Sequence, residues 1–319
     1  MVRLLEQRAF PVSSLQLFAS DRSAGKRLYF RREPLEVQGL KASALDSVNL
    51  ALVSAGDDIS RQFCPLLAKG GAVVVDGSAA FRMEPWVPLV VPEVNPGDLA
   101  QHRGIIASPD CATIQMTVAL GPLHRMNPIR RIIAATYDAV SATGSAAMEE
   151  LTVQARQVLE GRPASPHIYP HQIAFNLLPE IDVFLYNGYT RAEWKIVEET
   201  RKILHASQMV ISATCVRVPV FIGHSQALFV EFSHPITPEE AREILRHGPG
   251  VRLLDEPEIS LYPQPWLVAG GDDVVVGRIR QDTALRNGLA MWVVADNLRK
   301  GAALNIVQIA EALVERGQL

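Results

Sequence analysis

Val48–Val53 is an uninterrupted apolar run that stops at Ser54-Ala55-Gly56. A helical stripe, Ile59–Lys69, and a second apolar run, Ala72–Val75, follow it. Continuous apolar runs of this length read as strands buried on both faces, the condition found in parallel sheets. Parallel neighbours need a crossover, and the helix between the runs supplies one. This segment therefore predicts an α/β, doubly wound layer. Gly104–Ala107 reads as a further strand of that layer, ending at Ser108-Pro109-Asp110-Cys111. Before it, Leu4, Leu5 and Arg8 to Phe10 read as the end of an amphipathic helix and Leu15–Ala19 as a strand. A polar turn, Ser20 to Gly25, leads from that strand to alternating apolar positions at Leu28, Phe30, Leu35 and Val37.

At 319 residues the chain is too long for that layer alone, since a domain takes roughly 150. After Cys111 the pattern changes. Ala112–Met126, Met148–Leu159 and Thr190–His205 read as helices, and Ile129–Val140 reads as a long strand. Val210–Val220 and Ala227–Phe232 read as antiparallel strands, with Val274–Ile279 and Leu289–Val294 completing a mostly antiparallel sheet. Thr237-Pro238-Glu239-Glu240 is a capping box that opens a helix to Arg246. The last helix, Ala302–Val314, is expected to return to the first layer.

Hydrophobic residues make up 48% of the chain and charged residues 20%, enough apolar surface to fill cores. A net charge of −3 gives no broad attraction to nucleic acid or anionic membrane, so neither is expected as a partner. No apolar run approaches the roughly 18 to 20 residues that span a bilayer. Three cysteines, Cys64, Cys111 and Cys215, are too few for a disulfide framework or a zinc cage. A reducing cytoplasm and no metal are the expectation.

Cys111 sits where a strand ends and a helix begins. The N–H groups and dipole of a helix start stabilise a thiolate, so a cysteine there can be a nucleophile at neutral pH. The alternative is a buried structural cysteine, which is how Cys64 and Cys215 read. His224 follows Gly223 at a strand end and is the candidate acid/base.

Longer strings carry more information. They are Phe81-Arg82-Met83 with Pro88–Asn95, Cys111 with Thr113-Ile114-Gln115, and Ile173–Asn176 with Pro179–Asp182. Cys215–Val220 with Gly223-His224-Ser225, Gly277–Arg280 and Asp296–Asn305 complete the set. Together they resemble the aspartate-semialdehyde dehydrogenases along nearly the whole chain. The resemblance implies NADPH-dependent reduction of aspartyl phosphate to aspartate semialdehyde, with phosphate released, on the route to lysine, threonine and methionine. It implies a Rossmann-like cofactor domain (1–111 with 300–319) and an α+β catalytic and dimerisation domain (112–299), assembled as a homodimer. By position, Cys111 would form the thioacyl enzyme and His224 would be the acid/base. Arg217 would hold the substrate carboxylate, and Arg82 and Lys195 the phosphate. Ser20, Arg22 and Ser23 would meet the ribose 2′-phosphate of NADP, with Ser54, Gly56 and Asn297 also lining the cofactor.

The departures from the family cluster in the site. Asp110 stands where the family has Asn, and Asp138 where it has Gln. Ala192 stands at the substrate-amine Glu, with Glu193 beside it expected to point elsewhere. Asp57 replaces a glycine near the cofactor, and Gly77 stands where the family commonly has Asn. A carboxylate beside Cys111 is expected to raise the thiol pKa and repel phosphate. Met1 aligns inside the family's first helix, so the first strand and its Gly-rich turn are expected to lie before Val2, weakening NADP binding. Two readings follow: an impaired family enzyme, or a degenerate paralogue that binds or regulates.

Overall fold

The computed structural model describes residues 1–42, 45 and 48–319. In chain order it begins with α1 (Val2–Gln7), β1 (Leu17–Ala19), β2 (Arg27–Phe30), β3 (Glu33–Gly39) and β4 (Leu50–Val53). Next come α2 (Asp57–Lys69), β5 (Val73–Asp76), β6 (Ile105–Ala107), α3 (Cys111–Met126) and β7 (Ile129–Asp138). Then follow α4 (Ser145–Leu159), α5 (Arg191–Ile203), β8 (Val210–Arg217), β9 (His224–Phe232) and α6 (Pro238–Arg246). The chain ends with β10 (Val251–Leu253), α7 (Pro265–Val268), β11 (Val274–Gln281), β12 (Gly288–Ala295) and α8 (Leu304–Glu315).

The first unit comprises Met1–Pro92, Gly97–Ser108 and Ala303–Leu319. Its parallel sheet has the order β4-β5-β6, and a second sheet has the order β1-β3-β2. β4 to β6 form the parallel layer that the apolar runs predict. α2 starts at Asp57, earlier than the apolar stripe suggests, because Asp57 and Asp58 suit the positive end of the helix dipole. The Asp57 carboxylate accepts the Ala79 N–H at 2.9 Å. α8 packs through two stripes: Leu304, Val307 and Ala310 meet Leu4, Leu5, Phe10 and Phe30, while Ile306, Ile309 and Leu313 meet Val75, Val90, Leu99 and Ile106. Its last approach to β5 requires Gly77, where a Cβ would lie 2.9 Å from Ile306 Cδ1.

The second unit comprises Glu93–Pro96 and Pro109–Ala302, around a six-stranded sheet of order β10-β11-β12-β9-β7-β8. The sequence reading of β8 is corrected here: it pairs with β7 in parallel, with Asp138 opposite Arg217, and β9 lies on the other side of β7. The helical connection through α4 and α5 is long enough for a parallel return, which a hairpin would forbid. The strand read as continuing to Val140 ends at Asp138 and gives way to a 3-10 turn over Val140–Thr143. The strand read as continuing to Val220 stops at Arg217, two residues before Pro219. Three-residue β10, parallel to β11, was too short to show periodicity. α3, α5 and α6 pack together on one face, burying Ile132, Ala134 and Thr136 of β7, while Ile133 on the other face stays exposed.

Candidate active site

α3 is buried on every side over most of its length, so its N-terminus is held rigidly. Gln226 donates to the Ala112 carbonyl at 2.8 Å, and Gln115 donates to the Ala295 carbonyl at 3.4 Å, tying the helix to β9 and β12. Asp110 is the N-cap: its Oδ1 accepts the Ala112 N–H at 3.1 Å, and its own N–H donates to Glu199 at 2.7 Å. Cys111 Sγ lies 3.6 Å from the same Oδ1.

That geometry agrees with the expectation that a carboxylate beside Cys111 raises the thiol pKa, and not with a thiolate stabilised by the helix start. Burial pushes the Cys111 thiol well above its ordinary range, and the Asp110 and Asp138 carboxylates push it further, against an opposing pull from Arg217. The helix start cannot compensate, because Asp110 already takes the Ala112 N–H and places a negative charge beside the sulfur. Cys64 and Cys215 are buried core residues, with the Cys64 thiol raised to about 12 by burial and by Asp76.

Behind Cys111 runs a π-helical turn, Arg299–Ala303. Asp296 holds it, accepting the N–H groups of Leu298 at 2.8 Å and Arg299 at 3.0 Å. Fully buried Lys300 pairs with Glu93 at 2.8 Å. The turn brings Gly301 so close that an added Cβ would sit 2.9 Å from Cys111 Cβ and 3.3 Å from Gln115 Nε2. Gly301→Ala is expected to shift the sulfur and slow acylation of Cys111 by about 10²-fold, the scale of a 1 Å misplacement. Its melting temperature should fall only modestly. Acylation kinetics with unchanged far-UV dichroism check this, and an unaltered rate would remove the turn's role.

His224 opens β9, where the sequence reading had it at a strand end, and it is fully buried. The Ala139 N–H donates to its Nδ1 at 3.0 Å, so the neutral ring carries its proton on Nε2. Nε2 lies 4.0 Å from Asp138 Oδ2. Burial pulls the imidazole pKa down, which keeps the ring neutral. A neutral Nε2–H ring is a hydrogen-bond donor. It cannot take a proton on Nε2, and protonation at Nδ1 would require breaking the Ala139 bond. Gly223, at φ +99°, turns the chain into this position, and its N–H donates to Asn297 Oδ1 at 2.9 Å. Asn297 also donates to Ser141 Oγ at 2.9 Å and is itself buried. Asn297 thus lies against the turn that leads into His224.

Arg217 is buried, donates to the Ala139 carbonyl at 2.8 Å, and lies 5.9 Å from the centre of the Tyr169 ring. Its register partner Asp138 is buried too, with no hydrogen-bond donor on Oδ1 among the described residues. Lys195 donates to Asp182 at 2.9 Å, and Arg191 lies 3.9 Å from the same carboxylate. Against the upward push of partial burial, the Lys195 hydrogen bond and the Val183 N–H hold the Asp182 carboxyl below its usual range. Glu193 closes the α5 capping box at Thr190 and accepts the Cys215 N–H at 3.0 Å, so it is committed elsewhere as expected. Ala192 supplies no carboxylate.

The remaining predicted residues belong to the first unit. Arg82 is buried and donates to the Gly77 carbonyl at 2.9 Å, on a turn shaped by Asp76 with Ser60 and Ser78. Ser20 and Arg22 are exposed and Ser23 half-exposed on the turn after β1, where the Ser23 N–H donates to the Ser20 carbonyl at 2.8 Å. Ser54 and Gly56 are exposed at the carboxyl end of β4. The roles of Gly301, Lys300 and Glu93 left no signal in single-sequence patterning, because a buried lysine and a close glycine matter only through residues far away in the chain. Among the described residues no group of three or more His, Cys, Asp or Glu converges as a metal site. No helix among them is long and apolar enough to cross a membrane.

Residues 1–102 match the family described as semialdehyde dehydrogenase, NAD binding domain, and residues 120–300 match semialdehyde dehydrogenase, dimerisation domain. An aspartate-semialdehyde dehydrogenase of Aquifex aeolicus is 50% identical over 320 residues, covering 99% of this chain and 94% of the relative. The crystal structure of aspartate semialdehyde dehydrogenase II from Vibrio cholerae complexed with ASA superimposes with a TM-score of 0.94 at 43% identity, covering 98% of this chain and 94% of that one. The Candida albicans enzyme with NADP gives a TM-score of 0.77 at 25% identity, covering 100% of this chain and 95% of that one.

Proposed function

The chain belongs to the aspartate-semialdehyde dehydrogenase family, and from that premise we propose how its own residues perform the reaction. It is an oxidoreductase of amino-acid biosynthesis, a phosphorylating aldehyde dehydrogenase that uses a nicotinamide dinucleotide and acts on a small molecule as a dimer. Within the matched dimerisation span, the uncovered face of the six-stranded sheet carries exposed Ile133 and Val210, an apolar surface that suits a partner copy.

Aspartyl phosphate is the substrate in this reading, and phosphate the leaving group. The Cys111 thiol gives up its proton to solvent, its Sγ attacks the acyl carbon, a C–S bond forms, and the C–O bond to phosphate breaks as phosphate leaves. Arg217, held by the Ala139 carbonyl, takes the substrate carboxylate through its remaining N–H groups. His224 donates its Nε2–H to the acyl oxygen, the acid half of the acid/base role expected from sequence. Lys195 exchanges Asp182 for phosphate.

The cofactor is NADP in this reading. α2 has no side-chain cap at Gly56, and nothing lies within 4 Å of a Cβ built there, so the backbone is open to an anionic group. Arg22 on its exposed turn has the charge for a ribose phosphate. Both segments stand at the carboxyl ends of parallel strands, where α/β folds bind ligands. Asp57 is turned to the Ala79 N–H, which lessens its conflict with a phosphate. When bound, the nicotinamide supplies or accepts the hydride.

The observation that carries this reading is Cys111 at the start of α3, with the charges of Asp138 and Arg217 acting on both its thiol and the His224 ring. The same site also holds activity down at neutral pH, because the thiol is kept protonated. The thiolate fraction rises about tenfold per pH unit below the thiol pKa, so turnover should climb continuously from pH 7 into the alkaline range. Asp110→Asn keeps the N-cap acceptor but removes the charge, so it should lower the thiol pKa and raise the neutral-pH rate about tenfold. NADP reduction by aspartate semialdehyde and phosphate, followed across pH in both proteins, tests this. Two carboxylates beside the sulfur are what favours the second reading, a binding or regulatory paralogue. Absence of turnover at every pH in both proteins would decide for it.

A further inference from the structure

Asp138 is the least explained group in the site. It ends β7 with its side chain under the helical layer and is only 6% exposed. Among the described residues its Oδ1 has no donor, and its Oδ2 lies 4.0 Å from His224 Nε2. Its register partner Arg217 spends Nη1 on the Ala139 carbonyl, and no ion pair joins the two among the described residues. A buried carboxylate oxygen without a donor is costly, and one that persists in an active site needs an explanation. Water from the reaction medium is a donor that satisfies it, and a carboxylate holding a water beside an acyl carbon is a general base. His224 cannot serve as that base, since its Nε2 already carries a proton.

We propose that Asp138 is the general base for hydrolysis of the Cys111 thioacyl enzyme, which gives this chain an acyl-phosphate hydrolase activity that needs no nicotinamide. The inference rests on the acylation of Cys111 set out above. In the first step the acyl carbon exchanges phosphate for Cys111 Sγ. In the second, Asp138 Oδ1 removes a proton from water as its oxygen attacks the thioester carbon. The His224 Nε2–H donates to the developing oxyanion. The C–S bond then breaks, the thiolate recovers a proton from Asp138, and the acid is released. The sum is acyl phosphate plus water giving carboxylate plus phosphate, with no change of oxidation state. The raised thiol of Cys111 makes its thiolate a poorer leaving group, so the proton held by Asp138 passes to the sulfur as the C–S bond breaks. An amide at position 138, as in the wider family, could orient a water but could not accept its proton.

The test mixes the intact enzyme with freshly prepared L-aspartyl 4-phosphate and no dinucleotide. Phosphate is counted above the enzyme-free rate, and protein mass is read after acid quench. The wild-type chain should release phosphate well beyond one equivalent per subunit with no adduct accumulating. Asp138→Asn should stop after one equivalent, leaving an acyl adduct on Cys111 and deacylation slower by about 10²-fold. A wild-type burst of one equivalent that leaves a stable adduct would overturn the hydrolytic role while leaving Cys111 acylation intact. Equal deacylation by the wild type and Asp138→Asn would do the same. If Asp138→Asn and Asp138→Gln both lose the burst while the wild type turns over, Asp138 serves acylation and the inference fails. No phosphate release and no adduct in the wild type would instead bring down the acylation reading itself.

Discussion

Cys111→Ser should abolish acyl transfer, lowering phosphate-dependent NADP reduction by roughly 10⁴-fold or more. A serine hydroxyl loses its proton far less readily than a thiol, and this site already disfavours negative charge on the nucleophile. Burial, Asp110 and Asp138 all act in that direction, with Arg217 alone opposing them. His224 is not placed to activate a hydroxyl, since its Nδ1 is held by the Ala139 N–H and its Nε2 already carries a proton. The fold should be indifferent to the change. Asp110 continues to cap α3 through Ala112, and serine is smaller than cysteine against Gly301. The expected record is loss of the acyl adduct by mass together with a melting temperature within a few degrees of the wild type. Residual turnover within tenfold of the wild type would show that the nucleophile lies elsewhere.

Lys300→Met should destabilise the second unit by about 3–5 kcal/mol. Lys300 Nζ lies 2.8 Å from Glu93 Oε2, the lysine is fully buried, and the glutamate side chain is only 9% exposed. Methionine preserves the length and most of the packing but leaves the Glu93 carboxylate without its ammonium in a poorly hydrated setting. A double variant, Lys300→Met with Glu93→Gln, removes the stranded charge and should recover part of the loss. Chemical denaturation followed by tryptophan fluorescence measures both. A loss below about 1 kcal/mol in the single variant would mean that the pair does not anchor the π-helical turn. Because Gly301 follows Lys300 directly and packs on Cys111, the single variant should also slow acylation under conditions where it remains folded.

The β4-α2-β5 unit was legible because its signal is local: two short apolar runs with a helix between them admit few alternatives. The capping box at Thr237 was legible for the same reason. The direction of β8 was not. A strand's own pattern states which face is buried but says nothing about which neighbour it pairs with, and β7 and β8 are separated by a connection long enough for either direction. The site divides along the same line. Cys111 was visible as a cysteine at a strand-to-helix junction, and the carboxylates at Asp110 and Asp138 were visible by comparison with the family strings. That Asp110 is an N-cap, that Asn297 holds the turn before His224, and that Glu193 spends its carboxylate on Thr190 and Cys215 required coordinates.

The sequence by itself determined the family and the parallel layer and marked Cys111 as the candidate nucleophile, since each is written in contiguous residues or in local periodicity. Tertiary structure decided what those residues can do. The protonation of Cys111, the tautomer of His224 and the unpaired oxygen of Asp138 depend on burial and, beyond the adjacent Asp110, on residues 27 to 106 positions away. Such partners meet only after the sheet has ordered its strands, and a hydrogen bond or a buried charge is set by a distance in space that no spacing along the chain encodes.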